Sequence, residues 1–148
     1  MLSGSRTCMD LTGFDHEDLA AALDIEQRWF ASQPSDSWDA DRDDLLYDAF
    51  AEEVAPAIAA LDVGVASVVI ALSSAGCVPA TSCNGRPGHQ YTTPTVVFWT
   101  RRADLLPVTA AAHATGCTLS NGANGTAVLT APRVDDFREF AAVMHSRS

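Results

Sequence analysis

A polar loop near the middle of the chain gathers most of the side chains that could do chemistry. It reads Ala80-Thr81-Ser82-Cys83-Asn84-Gly85-Arg86-Pro87-Gly88-His89 and lies between two apolar runs. A guanidinium beside glycines and exposed backbone amides can hold a carboxylate or a phosphate, so Arg86 predicts an anion site. The alternative interpretation, a loop arginine that pairs with one of the many local carboxylates, stays open.

Cys83 and His89 lie in the same loop, and a nearby histidine can lower the pKa of a cysteine until the thiolate becomes a nucleophile. The sequence identifies no carboxylate partner that would make His89 an acid or base. Because cysteine is commonly buried, the sequence favours a small buried side chain at a strand end for Cys83. Catalytic residues therefore stay undefined, and the predicted ligand-binding residues are Ser82, Cys83, Asn84, Gly85, Arg86 and His89.

Zinc binding is a further hypothesis, which joins two residues of this loop to two other cysteines. The candidate ligands are Cys77, Cys83, His89 and Cys117. Cys77 and Cys117 open equivalent strands and are candidate neighbours, but the spacing lacks the closely paired ligands that are typical of zinc sites. The sequence therefore favours core packing of these side chains and predicts no metal.

Charge limits the class of partner. The chain has 9 Lys plus Arg against 19 Asp plus Glu, a formal net charge of -10. Such a field repels phosphate backbones, so nucleic acid is not an expected partner unless a local basic patch binds it. The acidic stretch 36–48 is either a solvated helix start, which the helix dipole favours, or a surface for a basic protein partner.

Length and composition predict one domain, 1–148. With 148 residues, of which 47% are hydrophobic, the chain can bury a single core. The most apolar stretch, 63–72, is far shorter than the ~20 residues of a membrane-spanning helix, and the first residues lack the apolar core of a signal peptide. The four cysteines include no Cys-x-x-Cys and need not be bridged. We expect reduced thiols, a cytoplasmic location and no membrane contact.

Helices are predicted for the N-terminal part, 1–62. Asp15 and Asp18 form a capping pattern before a first helix that reaches about Ala31. Ser32 to Ser37 is a polar connector that ends at Trp38. A second helix begins at Asp39 or Asp41, and Pro56 is expected to kink or split it.

Two copies of one unit are predicted in the α+β part, 63–148. Val63 to Leu72 is compatible with a strand or a helix, and a helix is favoured because Gly76 is placed to end it. After Gly76 come strands at 77–82 and 95–99. Asp104 is expected to cap a second helix that Gly116 ends, and strands follow at 117–119 and 127–130. A closing helix begins at Val134.

The resulting fold class is α+β. The duplicated helix-hairpin unit is expected to form a four-stranded, mostly antiparallel sheet with helices packed on one face, preceded by the N-terminal helices. Pro79 confines the first strand to an edge of the sheet or to an irregular stretch. The polar loop 84–94 is longer than the repeat requires, which is why we expect function there.

The run Thr81-Ser82-Cys83-Asn84-Gly85-Arg86 resembles the Ser-Cys-x-Gly-Arg loop of the wybutosine-synthesis protein 3 family, tRNA-modifying methyltransferases that use S-adenosylmethionine. The similar pattern extends over about residues 65–131. The resemblance implies a related fold, S-adenosylmethionine as a possible cofactor, and a ligand pocket beside Ser82, Cys83, Gly85 and Arg86.

Two functions follow as hypotheses. The first is a small ligand-binding or enzymatic domain with an anionic ligand, similar to a nucleotide or to S-adenosylmethionine, at the loop Ser82 to His89. The second is a non-enzymatic acidic protein of the inhibitor or immunity type, which covers a basic partner. The sequence leaves open whether the protein is an enzyme.

Overall fold

A computed structural model describes residues 11–31 and 39–147. Cys8, the predicted connector at 32–37, Trp38 and the first part of the acidic stretch, 36–38, lie outside these residues. Within the described ranges, no helix is long and apolar enough to cross a membrane.

The N-terminal helices begin where short polar side chains can bind free backbone N–H groups. Helix α1, His16–Phe30, follows Asp15, whose carboxylate accepts the Asp18 N–H at 2.9 Å, and the Asp18 carboxylate accepts the Asp15 N–H in return. Helix α2, Ala40–Glu53, follows Asp39, which accepts the Arg42 N–H. Helix α3, Pro56–Ala59, starts at the proline that was expected to split the second helix.

Helix α4, Ala66–Ser74, is the helix predicted over the ambiguous apolar run. Its residues 66–73 are all buried, and Gly76 follows with φ +91°. Val65 gives this helix no side-chain cap. Glu26 of α1 supplies one instead, because its carboxylate accepts hydrogen bonds from the backbone N–H and the hydroxyl of Ser67 at 3.3 and 2.5 Å.

Four strands form one antiparallel sheet: β1 Val78–Cys83, β2 Thr95–Trp99, β3 Thr118–Asn121 and β4 Ala127–Thr130. Their order is β1-β2-β4-β3, so the two hairpins lie side by side and β2 pairs with β4. Strand β1 is an edge strand, as Pro79 predicted, and its register shifts between Pro79 and Thr81.

Helix α5, Leu105–Thr115, precedes the second hairpin, and helix α6, Val134–Ser146, closes the described chain. The fully buried side chains include Ile70, Phe98, Leu129, Phe137 and Phe140, which join the helices to the sheet in one core. The α+β prediction is therefore confirmed, with a four-stranded antiparallel sheet and helices at the N-terminus.

The expectations for Asp104 and for the third strand were wrong, and the first strand begins and ends one residue later than predicted. The Asp104 side chain does not cap α5: residues 102–104 form a 3-10 turn, Asp104 itself has helical backbone angles, and its carboxylate accepts from Arg101 Nε at 3.1 Å. Strand β3 also extends to Asn121 instead of ending at residue 119, because the turn is made later, by a 3-10 segment at 123–125 in which Asn124 has φ 58°.

Candidate functional site

The long loop 84–94 folds back toward the turn 60–65, which joins α3 to α4. Asn84 makes the attachment: its backbone N–H donates to Asp62 Oδ2 at 3.2 Å and its Nδ2 donates to the Val63 carbonyl at 3.0 Å. Its Oδ1 accepts the Arg86 N–H at 3.1 Å, which fixes the first turn of the loop. Because Asn84 is buried and uses both ends of its amide in these bonds, its role in the structure is to position the loop.

Arg86, which was predicted to bind an anionic ligand, forms an ion pair with Asp43 of α2. Its Nη1 lies 3.0 Å from Asp43 Oδ2, and its side chain is only 10% exposed. The other oxygen of Asp43 lies 3.3 Å from Arg42 Nη2, whose guanidinium also lies over the Phe30 ring. This is the contact with a local carboxylate that the sequence left open as the alternative, and it fastens the loop to α2.

Asp62, Cys83 and His89 lie together beside this attachment. His89 Nδ1 is 3.2 Å from Asp62 Oδ2, and one donor atom from each of the three side chains lies within 4.8 Å of the others. His89 is half-exposed and Cys83 is buried, as the sequence favoured for the cysteine. Sulfur Sγ accepts the Gly85 N–H at 3.4 Å and lies 3.8 Å from the Tyr91 carbonyl oxygen. We call these three residues the Asp62 cluster.

Asp62 is the carboxylate partner of His89 that sequence reasoning missed. It lies 27 residues before His89, in a turn, so neither helical nor strand periodicity connects the two. The other two candidate zinc ligands, Cys77 and Cys117, lie elsewhere. Each is buried, which raises the pKa of its thiol, and neither belongs to the Asp62 cluster. Ser82 pairs with Val96 in the sheet and is also outside the cluster.

A pocket of about 260 Å³ opens next to Asp62, between α2 and the segment from α3 to the start of α4. Its walls are mainly apolar and three carboxylates line it. The lining residues are Asp43, Asp44, Leu46, Tyr47, Phe50, Ile58, Ala59, Ala60, Leu61, Asp62, Val63 and Ala66. The sequence did not predict this pocket, because its lining residues lie in 43–50 and 58–66, outside the polar loop where we expected function.

The outer side of α2 carries an acidic stripe beside the pocket. Asp41, Asp44, Asp48 and Glu52 are all exposed and follow one another at spacings of three or four residues, so they share one helix face. Leu45 and Tyr47 are 49% and 52% exposed next to them. Asp43 is absent from this stripe because it is turned toward Arg86.

Gly85 constrains the path of the loop through its backbone and its close neighbours. It has φ +77°, and a Cβ at this position would lie 2.6 Å from the Thr93 carbonyl carbon and 2.7 Å from Pro94 N. Replacing Gly85 with alanine is expected to lower the free energy of unfolding by about 2–4 kcal/mol, from the left-handed backbone and the overlap.

Gly88→Ala is the matched control for this prediction. Gly88 has φ +85° but no atom within 4 Å of an added Cβ, so only the backbone term of about 1–2 kcal/mol applies. Urea unfolding of both variants measures the difference. Equal losses would show that Thr93 and Pro94 do not pack closely against Gly85.

Comparison of this chain with protein-family models, with curated protein sequences and with solved structures gives no match.

Proposed function

We propose that this protein is a binding protein whose pocket and acidic stripe take a basic segment of another protein. The pocket receives an apolar side chain of that segment, or the aliphatic stem of an arginine or lysine. The carboxylates around it receive the positive charges. The observation that carries this proposal is the position of the apolar pocket directly beside the acidic stripe of α2.

The pocket walls support an occupant with apolar surface. Leu46, Phe50 and Ile58 are buried core residues that also line the pocket, while Tyr47 lines it and is half-exposed at the surface. Burial of apolar area contributes about 25 cal/mol per Å², so one aliphatic side chain in such a pocket adds a substantial part of the binding energy. Arginine and lysine combine this apolar stem with a charged end.

The carboxylates support a positively charged occupant. Asp44 lines the pocket and belongs to the exposed stripe, so it can contact a cation at the pocket opening. Asp43 is already paired with Arg86 and is not expected to contribute. The net charge of -10 extends the attraction beyond the contact, because a field of one sign accelerates association with partners of opposite charge.

A peptide in which arginine alternates with leucine tests the proposal. We expect saturable binding by calorimetry that weakens as salt is raised, and weaker binding by at least about fivefold, or about 1 kcal/mol, for Asp44→Asn and for Tyr47→Ala. The matched control is Glu139→Gln, which removes an exposed charge on α6, away from the pocket lining. Its affinity should change less than about twofold.

Two results would count against this function. One is an affinity that falls equally for Asp44→Asn and Glu139→Gln, since net charge alone would then explain binding. The other is equal affinity for a peptide in which glutamate replaces every arginine.

An anionic ligand at the loop Ser82 to His89 is the second proposal, supported by the resemblance to the wybutosine-synthesis protein 3 family. Such a ligand has to compete with Asp43 for Arg86. Calorimetric titration with S-adenosylmethionine and with nucleotides tests it. Binding that Arg86→Met abolishes would favour this function over the first.

A further inference from the structure

We propose that Asp62, Cys83 and His89 form a binding site for a divalent transition metal, with zinc as the best match. None of these three residues belongs to the acidic stripe, and of the three only Asp62 also lines the pocket. The three side chains come from the turn before α4, the end of β1 and the loop that follows it. One thiol, one imidazole and one carboxylate offer the S, N and O donors that zinc accepts in proteins.

The distances are close to those of a metal site. In a tetrahedral zinc site, nitrogen and oxygen ligands about 2.1 Å from the metal lie about 3.4 Å from each other. His89 Nδ1 and Asp62 Oδ2 are 3.2 Å apart, so a metal ion can take the place of the proton between them. One donor atom of each of the three side chains lies within 4.8 Å of the others, so the sulfur has to approach by at most about 1 Å to complete the site.

Groups around the cluster already hold two of the donors in place. The Gly85 N–H donates to Cys83 Sγ at 3.4 Å and orients the sulfur. The Asn84 N–H donates to Asp62 Oδ2 at 3.2 Å and fixes the carboxylate. Hydrogen bonds of this kind orient the ligands of metal sites and raise metal affinity.

Three protein ligands leave one tetrahedral position for water or for another ligand, as in zinc sites that do chemistry. An ion enters the site from the side of His89, whose side chain is 34% exposed, because the Asp62 and Cys83 side chains are more deeply buried. A bound ion would also tie the loop to the turn before α4. We therefore expect Zn²⁺ to raise the unfolding midpoint of the protein.

Cobalt titration tests this site, because Co²⁺ takes the place of zinc and a cobalt–thiolate bond gives a charge-transfer absorption band. We expect one Co²⁺ per chain, a thiolate band, tetrahedral d–d bands, and displacement by Zn²⁺. Cys83→Ser removes the thiolate band. His89→Gln and Asp62→Asn weaken Co²⁺ binding at least about tenfold. The matched controls Cys8→Ser, Cys77→Ser and Cys117→Ser keep the band.

Circular dichroism shows whether each variant is folded. If Cys83→Ser fails to fold, the half-exposed His89→Gln variant decides the question alone. The proposal is overturned if the wild-type protein gives no thiolate band. It is equally overturned if the band survives in folded Cys83→Ser, or if His89→Gln binds Co²⁺ as tightly as the wild type. In each case the cluster is only a hydrogen-bonded attachment of the loop.

Discussion

Replacing Asp43 with asparagine is expected to lower the free energy of unfolding by about 2–3 kcal/mol. Asp43 holds two guanidiniums, those of Arg42 and Arg86, whose side chains are only 6% and 10% exposed. Asparagine has nearly the same shape but no charge, so two positive groups stay buried beside a neutral side chain. The loss is large because desolvated charges are costly when their counter-charge is removed.

Asp44→Asn is the matched control, since it neutralises the neighbouring residue at the exposed stripe. Its free energy of unfolding should change by less than about 0.5 kcal/mol. Urea unfolding of both variants at neutral pH gives the comparison. Equal losses for the two variants would mean that Asp43 acts only as surface charge and that Arg86 does not fasten the loop.

A double-mutant cycle isolates the contact between α2 and the loop. We expect Asp43→Asn and Arg86→Met together to cost less than the sum of the two single losses, with a coupling of about 1 kcal/mol or more, because each single change removes the same ion pair. Hydrogen exchange of residues 84–94 should be faster in each variant. A coupling near zero would contradict the direct pairing seen at 3.0 Å.

The second large effect is expected at Glu26, which is buried between α1 and α4. The pKa of Glu26 is raised from 4.5 to about 7, and burial is the main cause. The hydrogen bonds from Ser67 and the charge of Arg138 oppose this rise, and the charge of Asp135 adds to it. Between pH 4.5 and about 7, Glu26 keeps its proton in the folded protein but has lost it in the unfolded chain. Stability therefore falls as pH rises from about 4.5 to 7.

Glu26→Gln is expected to raise the free energy of unfolding by about 3 kcal/mol at pH 8, and by much less at pH 4.5. Glutamine resembles the protonated acid: its amide can donate to Ser67 Oγ while its oxygen accepts the Ser67 N–H. The cap at the start of α4 is thus kept, and no charge is buried. Glutamate is then a poorer choice for stability at neutral pH than its amide.

Urea unfolding of wild type and variant from pH 4.5 to 8 measures this effect. The exposed Glu17→Gln, also on α1, is the control and should change the free energy of unfolding little at any pH. The account of Glu26 is wrong if Glu26→Gln destabilises the protein at pH 8, or if the difference between the two proteins does not grow with pH.

The sequence predicted best those helix ends that are set by residues next to them in the chain. The capping pair Asp15 and Asp18, the proline at residue 56 and the glycines at 76 and 116 each act on the adjacent backbone, so their effects can be derived without the fold. Helix α4 was harder, because a helix that is buried on all sides shows no amphipathic period. Gly76, which is placed to end a helix, was the local signal that favoured it over a strand.

The site was harder to predict because its contacts join distant parts of the chain. Asp43 and Arg86 are 43 residues apart, and Asp62 and His89 are 27 apart. Sequence identified the loop and its chemical side chains and left open whether Arg86 binds an anionic ligand or a local carboxylate, but it could not identify Asp43 as that carboxylate. The chain has 19 acidic residues, and nothing local distinguishes Asp43 and Asp62, which contact the loop, from the others.

Mapping of the binding surface by NMR tests the proposed function most directly. In a titration of the labelled protein with the arginine-leucine peptide, we expect saturable chemical-shift changes in residues 41–52 and 58–66, and little change in α5 and α6. The opposite result would be changes spread evenly over exposed acidic residues of α1 and α6, or changes confined to residues 82–89. Either pattern would mean that the pocket beside α2 is not the binding site.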